Sequence, residues 1–263
     1  MTEFVLYNAP QSTCSQRVRF SLNAKGIAFE EHKLDLFSGE QLKPAYLAIN
    51  PNGVVPALLH KGRAVLDSAV IIEYLDETRS QIVCFTPEDP VERGRMRWMM
   101  RYIDEIPAPA VRVPSYNLAF LPHFQKMSEE DFLALANAKP LRKEFLLSMG
   151  RSGFPPKEME QALDRLDRAV VRMNDWLVES GGPWLMGAKP TLADIAMMPV
   201  IVRMDDINLN ASWADKPAVA RWYEHLRAHP AFKPTYYHGS LLTEKYPHLA
   251  QLRQGRGDAA NAA

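Results

Sequence analysis

The chain has 263 residues, enough for one large domain or two modest ones with their own cores. Lysine plus arginine and aspartate plus glutamate both number 31, and that balance argues against a nucleic-acid surface or a strongly basic membrane face. Two cysteines, Cys14 and Cys84, fit a reducing compartment rather than a disulfide framework, and Met1-Thr2-Glu3 lacks the start of a secretory signal, so a soluble cytoplasmic protein is expected.

Phe4-Val5-Leu6-Tyr7 reads as a short strand, broken by Asn8-Ala9-Pro10-Gln11. A helix is predicted from about Ser15 to Lys25, with Val18 and Leu22 one turn apart and Gly26 at the stop. Ile27 to Leu36 alternates as a second strand. Ala57-Leu58-Leu59 and Arg63 to Leu66 flank His60-Lys61-Gly62 as a hairpin, and a helix from Ser68 to about Arg79 completes an α/β unit assigned to residues 1–84. Beyond Phe85 to Pro90, strand signals largely vanish. Val91 to Ile106 is helical in spacing and is expected to end at Pro107 and Pro109. An insert rich in proline, phenylalanine and basic residues follows, Pro107 to Pro156. Met159, Leu163, Leu166, Val170, Met173 and Leu177 form one apolar helical stripe, read as core packing. Further helices are predicted at Thr191 and near Pro217 to His229, so residues 91–250 read as all-helical, and 251–263 as a small, polar, disordered tail. The longest apolar run, Ile195 to Val202, is broken by Pro199 and is far too short to span a bilayer.

Three motifs carry the chemistry. In Asn50-Pro51-Asn52-Gly53-Val54-Val55-Pro56, the Val55-Pro56 peptide is a candidate cis bend before an extended run. Asp67-Ser68 then opens the apolar helix Ala69 to Leu75. A free backbone edge beside a helix N-terminus suits a peptide-like ligand and its carboxylate, and glutathione is such a ligand. Ser12-Thr13-Cys14-Ser15 lies at the turn into the first helix, where backbone N–H groups and the helix dipole favour an anion such as a thiolate. Each motif has a plainer reading as well. Ser12 or Asp67 can simply cap its helix, and Cys14 can be a nucleophile, a redox thiol or filler. Thr191-Leu192-Ala193-Asp194 is a capping box and is read as structural. Arg95, Trp98, Met99 and Tyr102 share a helix, some of whose face could line a pocket.

In this order the motifs resemble those of the cytosolic glutathione transferase superfamily over residues 3–240: an α/β thioredoxin-like N-terminal domain followed by an all-α C-terminal domain. Ser12 to Ser15 with Arg17-Val18-Arg19 looks like the Ser-Ser-Cys motif of the zeta class, the maleylacetoacetate isomerases. Lys126 to Phe132 and Gly153 to Met159 look instead like the bacterial β-etherases that cleave lignin-derived aryl ethers. The resemblance implies glutathione as cosubstrate, no metal, and a dimer, with a homodimer expected. It implies that Ser12 hydrogen-bonds the glutathione thiolate, with Ser15 and then Cys14 as rivals. Val55, held by a cis Pro56, would pair with the cysteinyl unit, Asp67 and Ser68 would bind the γ-glutamyl end, and Gln41 or its rival Lys43 the glycine end. Tyr102, Tyr116, Asn117 and Phe120 are the expected substrate-pocket residues. The expected reaction is thiolate attack on an apolar, aromatic electrophile, with β-aryl ether cleavage as its specific form. One alternative is cis–trans isomerisation of a maleyl diacid, with Arg17 and Arg112 supplying a cationic pocket. Another is a non-catalytic glutathione-binding module.

Overall fold

The computed structural model describes residues 2–249, 251 and 252. β1 (Phe4–Asn8), α1 (Thr13–Ala24) and β2 (Phe29–Lys33) form a βαβ unit whose strands are parallel, Phe4 opposite Phe29. A short helix α2 (Pro44–Leu47) precedes the hairpin of β3 (Ala57–His60) and β4 (Arg63–Leu66). β3 pairs antiparallel with β1, giving the mixed sheet order β2-β1-β3-β4, and α3 (Ser68–Thr78) packs on α1. The second strand is shorter than its alternation suggests. After Leu34, whose N–H still reaches the Asn8 carbonyl at 2.8 Å, Asp35 turns the chain away by accepting from the Phe37 N–H at 2.9 Å. That turn frees residues 34–37 to face the second half of the molecule.

From Pro90 onward every described element is helical apart from an isolated bridge, Trp184 to Gly187. α4 (Pro90–Glu105) ends as expected, but Pro107 and Pro109 do more than stop it. They start α5 (Pro107–Ser115), because a missing N–H costs nothing in the first turn of a helix. α5 buries Ala110 and Val111 and packs against α9 (Pro156–Ser180), so the first part of the expected insert is core. A π-helical turn, Tyr116–Phe120, then leads into α6 (Leu121–Phe124), α7 (Glu129–Asn137) and α8 (Lys143–Met149). These short helices build a satellite core from Phe124, Phe132, Ala136, Leu146, Met149 and Phe154.

α10 (Leu192–Asp206) is buried along nearly its whole length, which explains an apolar run that is not a membrane segment. Among the described residues no helix is long and apolar enough to cross a membrane. The capping box at its start forms as the sequence implies, and Asp194 does more than cap. Its carboxylate accepts from the N–H groups of Thr191 (2.7 Å) and Leu185 (2.9 Å) and from Trp222 Nε1 (2.8 Å), tying α10 to α11 (Pro217–Ala228). The chain continues through α12 (Phe232–Thr235) and α13 (Leu242–Lys245). The sheet and the long helices share one continuous core, from Leu6, Leu58 and Ile71 to Met99, Val170 and Ile195. The tail expected to be disordered lies, apart from Gln251 and Leu252, outside the described residues.

Candidate active site

A cavity of about 470 Å³ opens between the sheet unit and the helices. Its sheet-side wall comprises residues 9–14 at the β1–α1 turn, residues 33–37, Gln41 and residues 52–55. Its helical wall is Ala108, Val111, Arg112 and Ser115 of α5, then Tyr116, Phe120 and Phe124, Lys139, Leu141 and Arg142, with Arg203, Lys245 and Tyr246.

The sheet-side wall is shaped by backbone demands. Asn50 is buried and donates to the Val54 carbonyl at 2.7 Å, while its Oδ1 accepts from the Asn52 N–H at 3.1 Å. Gly53 closes the loop at φ 59°, and a Cβ there would lie 2.9 Å from Leu42 Cδ2. The Val55-Pro56 peptide is cis, with Pro56 buried, and Val55 sits half-buried on the cavity with neither backbone polar group bonded among the described residues. Gln41 is 3% exposed; its Nε2 donates to the Leu36 carbonyl at 3.2 Å, and its Oε1 has no hydrogen-bond partner among the described residues. Lys43 lies outside the lining, mostly exposed and 3.7 Å from Glu40.

At the β1–α1 turn, Ser12 is the N-cap of α1 and accepts from the Ser15 N–H at 3.2 Å. An accepting hydroxyl keeps its proton for a second partner, so capping does not exclude donation to an anion. Ser12, Thr13 and Cys14 line the cavity; Ser15 does not, being fully buried with its Oγ accepting from the Ala9 N–H at 3.3 Å. Asp67 and Ser68 are not part of the lining. Asp67 holds φ 71°, in the left-handed region, and caps α3 through the N–H groups of Ala69 (2.9 Å) and Val70 (3.2 Å). The N-terminus of α3 is therefore less free than the sequence suggests. Ser68 is buried, with its Oγ 3.4 Å from Arg17 Nη1.

The cavity collects some of the expected pocket residues and leaves others out. Tyr116 and Phe120 line it. Tyr102 packs edge-on to Trp176, with its ring under Arg172, outside the lining. Asn117 is a clip: its Oδ1 accepts from the Phe154 N–H at 2.8 Å, next to Gly153, where any Cβ would come 2.9 Å from Leu121 Cδ2 and 3.0 Å from the Asn117 Oδ1. Arg112 faces the cavity, but Arg17 is spent elsewhere, 2.5 Å from Asp104 and donating to the Ala196 carbonyl at 3.1 Å. Sequence reasoning missed Phe37, Phe124 and Tyr246. Phe37 reaches from the sheet side to Phe120 (5.4 Å between ring centres), and Phe120 in turn meets Tyr246 at 5.6 Å. No local pattern signals such a cluster, because its members come from segments far apart in the chain.

Two family models match the chain. The one described as Glutathione S-transferase, N-terminal domain covers residues 11–78, and Glutathione S-transferase, C-terminal domain covers residues 126–230. The chain belongs to the glutathione S-transferase family. Protein LigF of Sphingobium sp. strain SYK-6 is 28% identical over 239 residues, covering 87% of this chain and 91% of that protein. A probable maleylacetoacetate isomerase of Caenorhabditis elegans is 29% identical over 228 residues, covering 87% of this chain and 90% of that protein. The crystal structure of beta-etherase LigF from the same Sphingobium strain superposes with a TM-score of 0.80 at 27% identity, over 89% of this chain and 98% of that one.

As a glutathione transferase the chain takes glutathione as cosubstrate, and the sheet-side wall suits that tripeptide. Among the described residues Val55 offers a free backbone edge, Gln41 Oε1 is a buried acceptor without a donor, and the N–H groups of Thr13 and Cys14 at the start of α1 take no partner. Isothermal calorimetry should show glutathione binding, and Gln41→Ala should weaken it about 3- to 10-fold, the range for one net hydrogen bond. An unchanged Kd would show that Gln41 does not touch the ligand.

Proposed function

We propose that the protein transfers glutathione to an apolar aromatic electrophile, and that a β-aryl ether next to a ketone is the substrate it is built for. The observation that carries this reading is the aromatic wall of the cavity that also holds the start of α1: Tyr116 and Phe120 meet edge to face at 4.7 Å between ring centres, and Phe37 meets Phe120 from the sheet side at 5.4 Å. Aromatic rings that line a cavity rather than fill a core offer faces and edges to another ring. The likeness over most of both chains to LigF, a beta-etherase, supports the same reading.

In the proposed reaction glutathione lies along Val55 with its sulfur at the start of α1. The Ser12 hydroxyl donates a hydrogen bond to the thiolate and keeps its proton, and the N–H groups of Thr13 and Cys14 add to the field that keeps the sulfur ionised. Asp67 and Ser68 hold the γ-glutamyl end, and Gln41 the glycine end. The sulfur attacks the ether carbon activated by the neighbouring ketone. The C–S bond forms as the C–O bond breaks, and the electron pair leaves on the aryl oxygen as a phenolate. The protein forms no covalent bond; it aligns and stabilises. Residues 1–84 serve glutathione in this scheme and 91–250 the electrophile.

Isomerisation of a maleyl diacid is the second reading, favoured by the cations in the helical wall and by the isomerase relative, and weakened by the withdrawal of Arg17 from the cavity. An assay of both substrates with glutathione separates the two. The aryl ether should release its phenol, and Phe120→Ala and Tyr116→Ala should each lower kcat/KM for it by about tenfold or more, as expected for the loss of an aromatic contact in a binding pocket. Turnover of maleylacetoacetate with no phenol release would overturn the ether reading. The family is typically dimeric, and we extend to this chain a homodimer; light scattering at assay concentration should give twice the 29.8 kDa chain mass, and a single-chain mass would contradict it.

A further inference from the structure

The helical wall holds more positive charge than the transfer reaction requires. Arg112 on α5, and Lys139 and Arg142 in the connection between α7 and α8, all line the cavity. Among the described residues none of the three makes an ion pair; of the other cations in the lining, Lys33 has a carboxylate partner, Arg203 is held by neutral oxygens, and Lys245 makes no ion pair either. Arg203 donates to the Gln11 carbonyl at 2.5 Å and to Ser115 Oγ at 3.3 Å, and Lys33 lies 3.6 Å from Glu31. Arg142 bonds only to the neighbouring Leu141 carbonyl, at 3.0 Å, and the Arg112 guanidinium stands over the Phe145 ring at 5.6 Å. Among the described residues Asp35 is the only carboxylate in the lining.

The charge of Arg142 opposes that of both its neighbours in the lining. Burial makes both Arg112 and Lys139 harder to keep charged, and in each case the charge of Arg142 is the next cause in the same direction. Three partly buried cations on one cavity wall without carboxylate partners are stabilised by an anion placed among them. Their layout shows which anion. Arg112 stands on α5 and shares the cavity lining with Ser12 and Cys14, at the turn where the sulfur is placed. Lys139 and Arg142 share one turn of the connection between α7 and α8, the Arg142 N–H donating to the Lys139 carbonyl at 3.0 Å, and this turn belongs to the helical wall rather than to the sheet-side wall that holds the start of α1. Positive charge thus runs away from the reacting centre, beyond what one transient phenolate would use.

We propose that Arg112, Lys139 and Arg142 form an anion subsite for a carboxylate, or a comparable fixed negative charge, carried by the aromatic electrophile at a distance from the carbon that glutathione attacks. This rests on the reading of the cavity as the electrophile site. It places the substrate class among acidic aryl ethers rather than neutral ones. The aryl ring lies on the Tyr116 and Phe120 side while its acidic group meets the fork of Arg142 and the Lys139 ammonium.

The test is a matched pair of α-keto β-aryl ethers, one neutral and one carrying a carboxylate on the ring that is retained, compared by kcat/KM. The native protein should prefer the carboxylate by about tenfold or more, and added salt should erode the preference. In Lys139→Gln and in Arg142→Gln the ratio of the two kcat/KM values should fall toward one. A damaged fold would lower both substrates together and leave the ratio alone, so the ratio reads the subsite specifically. Equal use of both ethers by the native protein, or a ratio unmoved by either substitution, overturns the subsite while leaving the transferase reading intact. Failure to turn over either ether, with glutathione binding retained, overturns both.

Discussion

The active site depends on how two buried arginines hold the β1–α1 turn. Arg19 donates to the Pro10 carbonyl at 2.8 Å and the Ala9 carbonyl at 3.4 Å, and anchors itself on Asn8 Oδ1 (2.6 Å) and the Thr235 carbonyl (3.1 Å). Arg203, from α10, holds the next carbonyl along, that of Gln11. With the carbonyls of residues 9–11 drawn into the protein, the N–H groups that follow are left at the cavity edge, where α1 begins. Gln16 strengthens the clamp by reaching the carbonyls of Pro10 and Ser240, both at 3.2 Å, and Gln11 adds a bond to the Gly239 carbonyl. A guanidinium suits this task because its rigid fork satisfies several carbonyls at once and stays charged when buried. Burial opposes the charge on both arginines; Glu31 supports that of Arg19 and Asp206 that of Arg203. The clamp therefore does two things: it fixes the geometry of the turn, and it adds positive potential where an ionised sulfur would sit.

The rest of the molecule divides the work around that turn. Backbone shape dominates the sheet side, with a cis peptide at Val55-Pro56, a glycine at φ 59° and an asparagine that hydrogen-bonds its own loop. Side-chain chemistry dominates the helical side, with rings and cations on short helices that carry their own small core. This separation is physically reasonable. A tripeptide cosubstrate is read through its backbone, which needs a stiff, complementary edge. An electrophile is read through its ring and charge, which loops and short helices can present and exchange without disturbing the main core.

The features legible in the sequence were those governed by local rules. Asn50 to Pro56 was readable because glycine and proline answer specific backbone demands, and the Thr191 to Asp194 box because capping is a four-residue affair. The apolar stripe of α9 was readable from spacing alone. What escaped is non-local. Arg203 bonds to a residue 192 positions away, and Arg17 is captured by Asp104 rather than turned to the cavity. Tyr102 and Asn117 were misplaced for a related reason: helical spacing shows which residues share a face, but not which neighbour that face meets. The insert was hardest to read, since its prolines begin helices as readily as they end them, and the orientation of Lys139 and Arg142 follows from packing in a satellite core.

The central claim is that the start of α1, with Ser12 at its cap, holds a bound thiol as a thiolate near neutral pH. The most direct test is ultraviolet titration of glutathione bound to the native protein and to Ser12→Ala. Free thiols titrate near pH ~8.5. The account predicts that the bound thiol of the native complex titrates well below that, and that its titration moves back up in the Ser12→Ala complex. A bound thiol that titrates as it does in free solution, in both proteins, would contradict it.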